Sequence, residues 1–527
     1  MPINKFWILI IALGLSSCTK FLTHDDPVAV TDETWWKTEA NATGALGSVY
    51  AGLPGGSDGR QLMFLSALSD EAVARQDTRG SYELYGKGLA NSSWNVALSV
   101  WQDDFKDIRR ACRFLENVDR CFMDSTLRER YKNEARAMRA YYHMELLMFF
   151  GGIPIVTESV DPLKDDLKRN TEQEVYDFVM SELTACIPNL PASYNSNEAW
   201  RISSGVCYAL MSKLAMYYGH FDVAKSNAKA VIDQGTFALY KSTNAKANSY
   251  AELFLYTGEL NKERIFFKDK GCAGAWLTFA PAGVGGKTVV SPTNVVLNNF
   301  ETLQGKTLAE LPADSQAIYR QNPNYKNNRD PRLVGAVLLP GQSYQGITLQ
   351  PFAAGADQLG AQNATATGFW VNKYLDPKDR NAASANRTLD YMIIRYPEVL
   401  LNYVEALIET ADWQNPDVLT YINQIRNRAG MPAADGVKYN SQEKLRDLVR
   451  RERMSELCFE GARFFDIRRW KIFGTVMTGQ VYGATNPATG EATPVETRNC
   501  NPDRDVRYPI PLSEMLANPN MEQNYLY

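Results

Sequence analysis

The chain has 527 residues, a net charge of −4 at pH 7 and 45% hydrophobic residues, which is enough for a large core. A mildly acidic chain without a basic tract argues against binding to nucleic acid. It contains three histidines, His24, His143 and His220, and their spacing fits no metal-binding or catalytic motif. We therefore expect no cofactor, no histidine-based metal site and no catalytic residues, while a calcium ion and a pair of acidic residues that meet in a cleft stay open.

The N-terminal segment has the parts of an export signal. Lys5 supplies a positive charge, residues 6–15 form an apolar run, and Leu-Ser-Ser precedes Cys18. The run is too short to span a bilayer as a helix, but it has the length of a signal core. Leu-Ser-Ser-Cys resembles the lipobox of bacterial lipoproteins. We predict that residues 1–17 are a signal peptide and that Cys18 is lipidated, which anchors the chain without spanning the membrane.

Helical periodicity dominates two blocks of the chain, at about residues 40–265 and 391–475. In residues 205–235, apolar positions recur three or four apart on both sides of a Gly-His turn. This pattern resembles a tetratricopeptide-type helical hairpin, and residues 396–430 repeat it. We predict an all-α fold, with minor β structure, built on such hairpins. Trp101 and Trp470 lie in helical segments and are expected in the core.

The composition changes at about residues 266–390, where Gly, Pro, Ala, Asn and Thr crowd together, as in "GCAGAWLTFAPAGVGGKTVV". We predict a loop-rich insertion with a few short strands, and a loop-like C-terminal tail at residues 476–527. Long ordered loops in a compact domain are usually functional. The sequence "GVGGKT" is not a phosphate-binding loop, because Pro281 stands where that motif needs glycine and no strand precedes it.

The stretch "RRERMSELCFEGARFFDIRRW", residues 450–470, mixes charges with aromatic residues. On a helical wheel Glu452, Glu456 and Arg463 continue the apolar stripe of the segment before them, so they should be buried. Buried carboxylates have to be paired, and the planar arginine fork is their natural partner. We predict that these three residues belong to a structural charge network rather than to a ligand site.

The same stretch resembles the C-terminal signature of the SusD/RagB family, ER–x–x–EL–x–FEG–x–R–x–x–D–x–RRW. "EARAMRAYYHMELLMFFGGIPIV", "RYPEVLLNYVEAL" and "YPIPLSEMLANPNMEQNYLY" match further family motifs in the same order. The resemblance implies one domain over residues 18–527, lipid-anchored on the outer surface of an outer membrane. Such a protein captures oligosaccharide, passes it to a SusC-like TonB-dependent transporter and is not an enzyme. A peptide ligand, a lipid-anchored glycan hydrolase and a scaffold for protein assembly are the alternatives.

Sugar recognition needs flat aromatic faces flanked by polar groups, and we expect these in loops, because helical aromatic residues are mostly core. Trp276 should present an open face, because Gly271 and Gly274 flank it. The candidate ligand-binding residues are Trp276 and Phe279, with Tyr344 behind them, and Tyr82 and Tyr85, with Arg75 and Asp77 as polar neighbours.

Overall fold

A computed structural model describes residues 32–55, 62–75, 81–160, 167–195, 197–322, 324–383 and 386–527. The predicted signal peptide and Cys18 lie outside these ranges. Within them, the helices of eight or more residues are α1 Glu39–Tyr50, α2 Asn95–Asn117, α3 Ser125–Phe150, α4 Glu172–Cys186, α5 Ser204–Tyr218, α6 Phe221–Gln234, α7 Tyr396–Glu409, α8 Pro416–Arg428, α9 Gln442–Leu457 and α10 Ala462–Arg469.

The strands are short and pair two by two. They are β1 Ala72–Ala74, β2 Arg264–Lys268, β3 Val290–Pro292, β4 Val337–Leu338, β5 Ser343–Tyr344, β6 Ile347–Thr348, β7 Trp370–Val371, β8 Tyr391–Arg395, β9 Thr478–Thr485 and β10 Ala492–Asn499. The antiparallel pairs are β1–β3, β2–β8, β4–β7, β5–β6 and β9–β10. The chain is therefore predominantly helical, as predicted.

Most of the long helices pack against the next one in chain order. Helix α2 packs on α3, α3 on α4, α4 on α5 and α5 on α6, and after the insertion α6 packs on α7, which contacts α8 and α9. The α5–α6 turn follows its sequence closely, because Gly219 ends α5 in the left-handed conformation (φ +74°). Ala224 and Ala228 of α6 are fully buried against α5, so small side chains let the two helices approach. None of the described helices is long and apolar enough to cross a membrane.

A strand pair closes the neck of the insertion. Strand β2 enters the insertion and β8 leaves it, and the two pair antiparallel, with Arg264 opposite Arg395 and Lys268 opposite Tyr391. The ladder connects the start of the insertion to the start of α7, because β8 leads directly into that helix.

The C-terminal tail differs from the prediction of loop. Residues 478–499 form the β9–β10 hairpin, which Asn486 closes by donating its backbone N–H to Glu491 O at 2.8 Å. The register shifts on both sides of Pro494, which has no N–H to give to the ladder. Much of the hairpin is solvent-exposed on both faces, so it lacks the apolar alternation that marks a strand in a sequence.

The charged stretch at residues 450–470 is interrupted between α9 and α10. Phe459 (φ +62°) and Gly461 (φ +79°) both adopt left-handed backbone conformations there. Arg463 therefore does not share one helical wheel with Glu452 and Glu456, and its predicted place beside them is wrong. It forms a bidentate ion pair with Asp70 instead, at 2.7 Å for both bonds.

Glu456 is fully buried at the centre of a charge network whose cations come from other segments. Its carboxylate accepts hydrogen bonds from Arg332 at 3.1 Å, from Arg395 at 3.0 Å and from Arg428. Ion pairs extend this network to six carboxylates and six cations, so its charges balance. These residues are Glu263, Glu301, Asp330, Glu452, Glu456 and Glu460 with Arg332, Lys373, Arg395, Arg426, Arg428 and Arg451.

Candidate functional site

Three loops of the insertion meet at one surface, which we call the insertion face: residues 281–288, the β5–β6 hairpin and residues 352–363. Asp357 accepts a hydrogen bond from the backbone N–H of Gly283 at 3.1 Å. A Cβ added to Gly283 would lie 2.6 Å from the Cδ1 atom of Ile347, on the hairpin. Glycine at this position therefore allows all three loops to touch.

Arg75 ties the chain after β1 to this surface. Its guanidinium donates hydrogen bonds to Lys287 O at 2.7 Å and to the side-chain oxygen of Asn363 at 2.9 Å. Arg75 thus joins two of the three loops through its Nη1 atom. Asp77, its predicted polar neighbour, lies outside the described residues.

The insertion face is polar, and its exposed charged side chain is that of Lys287. Residues 341–363 contain a single charged residue, Asp357, and it is 6% exposed. Burial raises the pKa of this carboxyl, while the Gly283 N–H opposes that rise. The same stretch contains six carboxamides, all of them exposed or half-buried: Gln342, Gln345, Gln350, Gln358, Gln362 and Asn363. A carboxamide carries both a donor and an acceptor; Gln342, Gln345 and Asn363 each use one of the two within the fold. The remaining groups suit a neutral ligand rich in hydroxyl groups.

Each part of the insertion face carries backbone strain. Thr288 (φ +41°), Gln345 (φ +47°) and Asn363 (φ +63°) all adopt left-handed conformations, which are uncommon for residues other than glycine. Thr288 is β-branched, so the conformation is least favourable there. Such conformations persist where the surroundings enforce them, and they concentrate at binding sites.

The expectation that Trp276 presents an open face is wrong. The short helix Ala275–Phe279 turns its aromatic residues inward, leaving Trp276 2% exposed and Phe279 fully buried. Tyr82 is buried as well, stacked on Phe64 at 4.7 Å between ring centroids, and Phe64 also contacts Phe279 at 5.6 Å. The two predicted loop regions do come together, but as a packed aromatic cluster without a free ring face.

Tyr85 and Tyr344 are buried in different places. Tyr85 stacks on Trp94 at 5.4 Å and hydrogen-bonds to Asp505 and Arg468, so it belongs to the core beneath the C-terminal tail. Tyr344 lies under the insertion face, where it accepts a hydrogen bond from Gln345 at 2.9 Å. Burial raises the pKa of Tyr344 to about 12.

The predicted binding residues include neither the carboxamides nor Phe352, a half-buried aromatic residue on the insertion face. The amide-rich composition of residues 341–363 is visible in the sequence, but the stretch contains few aromatic residues. Trp470, expected in the core, is half-buried at the surface.

Comparison with known proteins identifies the family. Residues 255–527, more than half of the chain, match the model of the SusD family, and residues 40–216 match a model described as "Starch-binding associating with outer membrane". SusD-like protein P38 of Formosa agariphila is 24% identical over 100% of this chain and 99% of its own.

Two crystal structures from Bacteroides fragilis are similar to the whole fold, each at 25% identity. One, a SusD-like carbohydrate-binding protein, has a TM-score of 0.83 and covers 93% of this chain and 100% of its own. The other, a SusD-like protein, has a TM-score of 0.82 with 94% and 99% coverage. This chain belongs to the SusD family.

Proposed function

We propose that this protein captures a neutral oligosaccharide on the insertion face. The observation that carries the proposal is the set of carboxamides in residues 341–363, where the one charged side chain is buried and strained loops hold the chain in place. Sugar hydroxyls need partners that both donate and accept hydrogen bonds, and carboxamides do both. A half-buried aromatic ring, Phe352, supplies an apolar area for a sugar ring. The similar structure of a carbohydrate-binding SusD-like protein supports the same ligand class.

The proposal also covers where the protein lies in the cell and which transporter receives its ligand. In this proposal residues 1–17 are removed, lipid on Cys18 anchors the chain to the outer membrane, and residues 18–527 form one domain on the cell surface. The protein then delivers its ligand to a SusC-like TonB-dependent transporter. Holding a binding protein beside a transporter raises the local ligand concentration at the entrance, which is the physical benefit of the arrangement.

Binding without catalysis fits this surface better than hydrolysis does. A glycoside hydrolase needs two carboxyl groups flanking the bond to be cleaved. Residues 341–363 hold one carboxyl group, that of Asp357, which is buried and engaged with Gly283. A peptide ligand remains the second candidate, because carboxamides also bind backbone amides.

Calorimetric titration with a panel of neutral polysaccharides and with oligopeptides tests the ligand class. Replacing Gln358 and Phe352 by alanine should weaken glycan binding by about tenfold or more, since a hydrogen bond and an aromatic contact are each worth about 1 kcal/mol. Gln173→Ala, an exposed glutamine on α4, is the matched control and should leave affinity unchanged. Peptide binding without glycan binding would refute the proposal, as would turnover of the glycan.

A separate experiment tests the anchor. Cys18→Ala should remove lipid labelling and release the protein from the outer membrane, because the short apolar run cannot hold it there. Fractionated membranes probed for the protein, together with labelling by a fatty-acid analogue, measure both effects. Unchanged retention and labelling in the variant would contradict the lipoprotein assignment without touching the proposed ligand.

A further inference from the structure

A surface cleft of about 540 Å³ opens between the short helix Asn294–Asn299 and helices α9 and α10. Its wall includes Trp470, with three guanidinium groups near the indole. Arg450 lies 4.8 Å from the ring centroid, Arg469 4.9 Å and Arg463 5.6 Å. We call this the Trp470 cleft. It lies outside the insertion face, and the buried charge network does not account for it.

Most arginines around the Trp470 cleft are neutralised by the fold. Arg463 is paired with Asp70, and Arg451, which also lines the cleft, donates to Glu301 at 2.9 Å. Arg469 forms two hydrogen bonds of 2.6 Å to Glu405.

Arg450 is the exception. Its closest acidic neighbours on α7 are already held bidentately, Glu405 by Arg469 and Glu409 by Arg446 at 2.6 and 2.8 Å. Among the described residues no carboxylate oxygen lies within 4.0 Å of Arg450, and its buried Nε has no hydrogen-bond partner. Burial lowers the pKa of Arg450 although Glu405 and Glu409 act in the opposite direction. A half-buried guanidinium without a counter-ion is therefore available to an anion.

The rest of the wall is neutral. The side chain of Asn298 forms no hydrogen bond within the described part of the chain, and Asn299 uses its amide nitrogen on Arg451 O and Ser455 but leaves its oxygen available. Val295, Met454 and Ile472 supply apolar area. Asp447 lies exposed at the rim and opposes an anion there.

We propose that the Trp470 cleft binds a carboxylate-bearing sugar unit, a uronic acid, at a second site apart from the insertion face. The carboxylate pairs with Arg450, the two asparagine amides bind hydroxyls, and the apolar wall covers a ring face. One cation, two amides and an apolar wall match a sugar acid better than a run of acidic side chains, which would need several cations. The cleft volume lies in the range of small-ligand sites. The ligand class, a glycan, rests on the proposed function, whereas the position of the second site in the Trp470 cleft does not.

Calorimetric titration of the mature lipoprotein in detergent tests the inference, with tetragalacturonate, its fully methyl-esterified form and tetraglutamate as probes. Tetragalacturonate should bind about tenfold or more tightly than the neutral ester, the size expected for one charge-assisted pair. Arg450→Gln and Asn298→Ala should each weaken it, and Asp447→Asn should strengthen it, because that change removes the opposing charge. Lys444→Gln, an exposed charge removal on the same helix but outside the cleft, is the control.

The outcomes separate this inference from the proposed function. Neutral glycan affinity on the insertion face, measured in parallel, should not change in Arg450→Gln. Equal affinity for tetragalacturonate and its ester in the wild type would overturn the second site while leaving the proposed function intact. If Arg450→Gln still bound tetragalacturonate more tightly than the ester, the second site would likewise be overturned and the proposed function left intact. Equally tight, Arg450-dependent binding of tetraglutamate would show an acidic-peptide site instead, and would overturn the assignment to a sugar.

Discussion

Replacing Glu456 by alanine should lower the free energy of unfolding much more than the loss of an exposed carboxylate would. Arg332, Arg395 and Arg428 all donate to this one side chain, which is fully buried. Burial alone would raise the pKa of Glu456, but the three arginines outweigh it and hold the pKa well below its usual range. Removing the carboxylate leaves an uncompensated positive charge in the core, which costs about 3–5 kcal/mol.

Equilibrium unfolding in urea, followed by circular dichroism, measures this loss. Since the urea slope of a chain this long exceeds the roughly 3 kcal/mol per molar of a small protein, the midpoint should fall by at most about 1.7 M. Because the folded-state pKa is depressed, the stabilisation is present above about pH 4.3 and is lost as the pH falls further. The difference between wild type and variant should therefore narrow from pH 7 towards pH 3.

The matched control is Glu443→Ala, an exposed glutamate in the first turn of the same helix. It should shift the free energy of unfolding by less than about 1 kcal/mol, the worth of a charge at a helix end. If Glu456→Ala unfolded at the wild-type midpoint, the carboxylate would have to be solvated or its arginines paired elsewhere, and the reasoning from burial would be wrong.

Three further predictions follow from burial and close contact. Trp276→Ala should lower the free energy of unfolding by about 3–5 kcal/mol, whereas Leu277→Ala, at a partly exposed neighbour, should lower it by less than about 1 kcal/mol. Equal urea midpoints for the two variants would show that the Trp276 ring is not buried. Gly283→Ala should weaken glycan binding in calorimetry, because the new methyl group pushes the loops of the insertion face apart. Gly47→Ala, in open space on α1, should instead raise the free energy of unfolding by up to about 1 kcal/mol. Unchanged binding in Gly283→Ala would show that contact between the loops does not matter for the site. Burial raises the pKa of Glu71 to about 8, so this carboxyl stays protonated in the folded state at neutral pH while it ionises in the unfolded chain, and the resulting destabilisation grows as pH rises from about 4.3 to about 8. Glu71→Gln should therefore gain stability over wild type at pH 8 relative to pH 5, and a pH-independent difference would contradict the raised pKa.

Local signals predict the helical hairpins, because a hairpin depends on residues close in the chain. The apolar spacing in residues 205–235 and the glycine at position 219 specify two helices and the turn between them. The β9–β10 hairpin is not predicted in this way, because strands that are largely exposed on both faces carry no alternating pattern of apolar and polar residues. The pairing of β2 with β8 cannot be predicted from local sequence either, because Arg264 and Arg395 lie at opposite ends of the insertion.

Which face of a loop is buried cannot be read from its composition. The glycines around Trp276 predict a loop, but the structure has the residue in the short helix Ala275–Phe279, with its ring buried in a space formed by distant segments. A tryptophan buries more apolar area than any other side chain, so packing competes strongly for it. For the proposed site on the insertion face, the amide-rich composition of residues 341–363 is a more direct signal, because carboxamides gain little from burial and remain exposed or half-buried.

Helix α9 shows the same limit for charges. Its wheel predicts that Glu456 is buried, since an apolar stripe leads to it, but it cannot predict that Arg332 and Arg395 are its partners. Two consecutive arginines of this helix then have opposite roles: Arg451 is neutralised by Glu301, whereas Arg450 lies over the ring of Trp470 while Glu405 and Glu409 are engaged by other arginines. Composition and periodicity treat the two alike. Only the pairing of charges through the whole fold separates a structural arginine from one that is left for a ligand, which is why the second site could be inferred from the structure and not from the sequence.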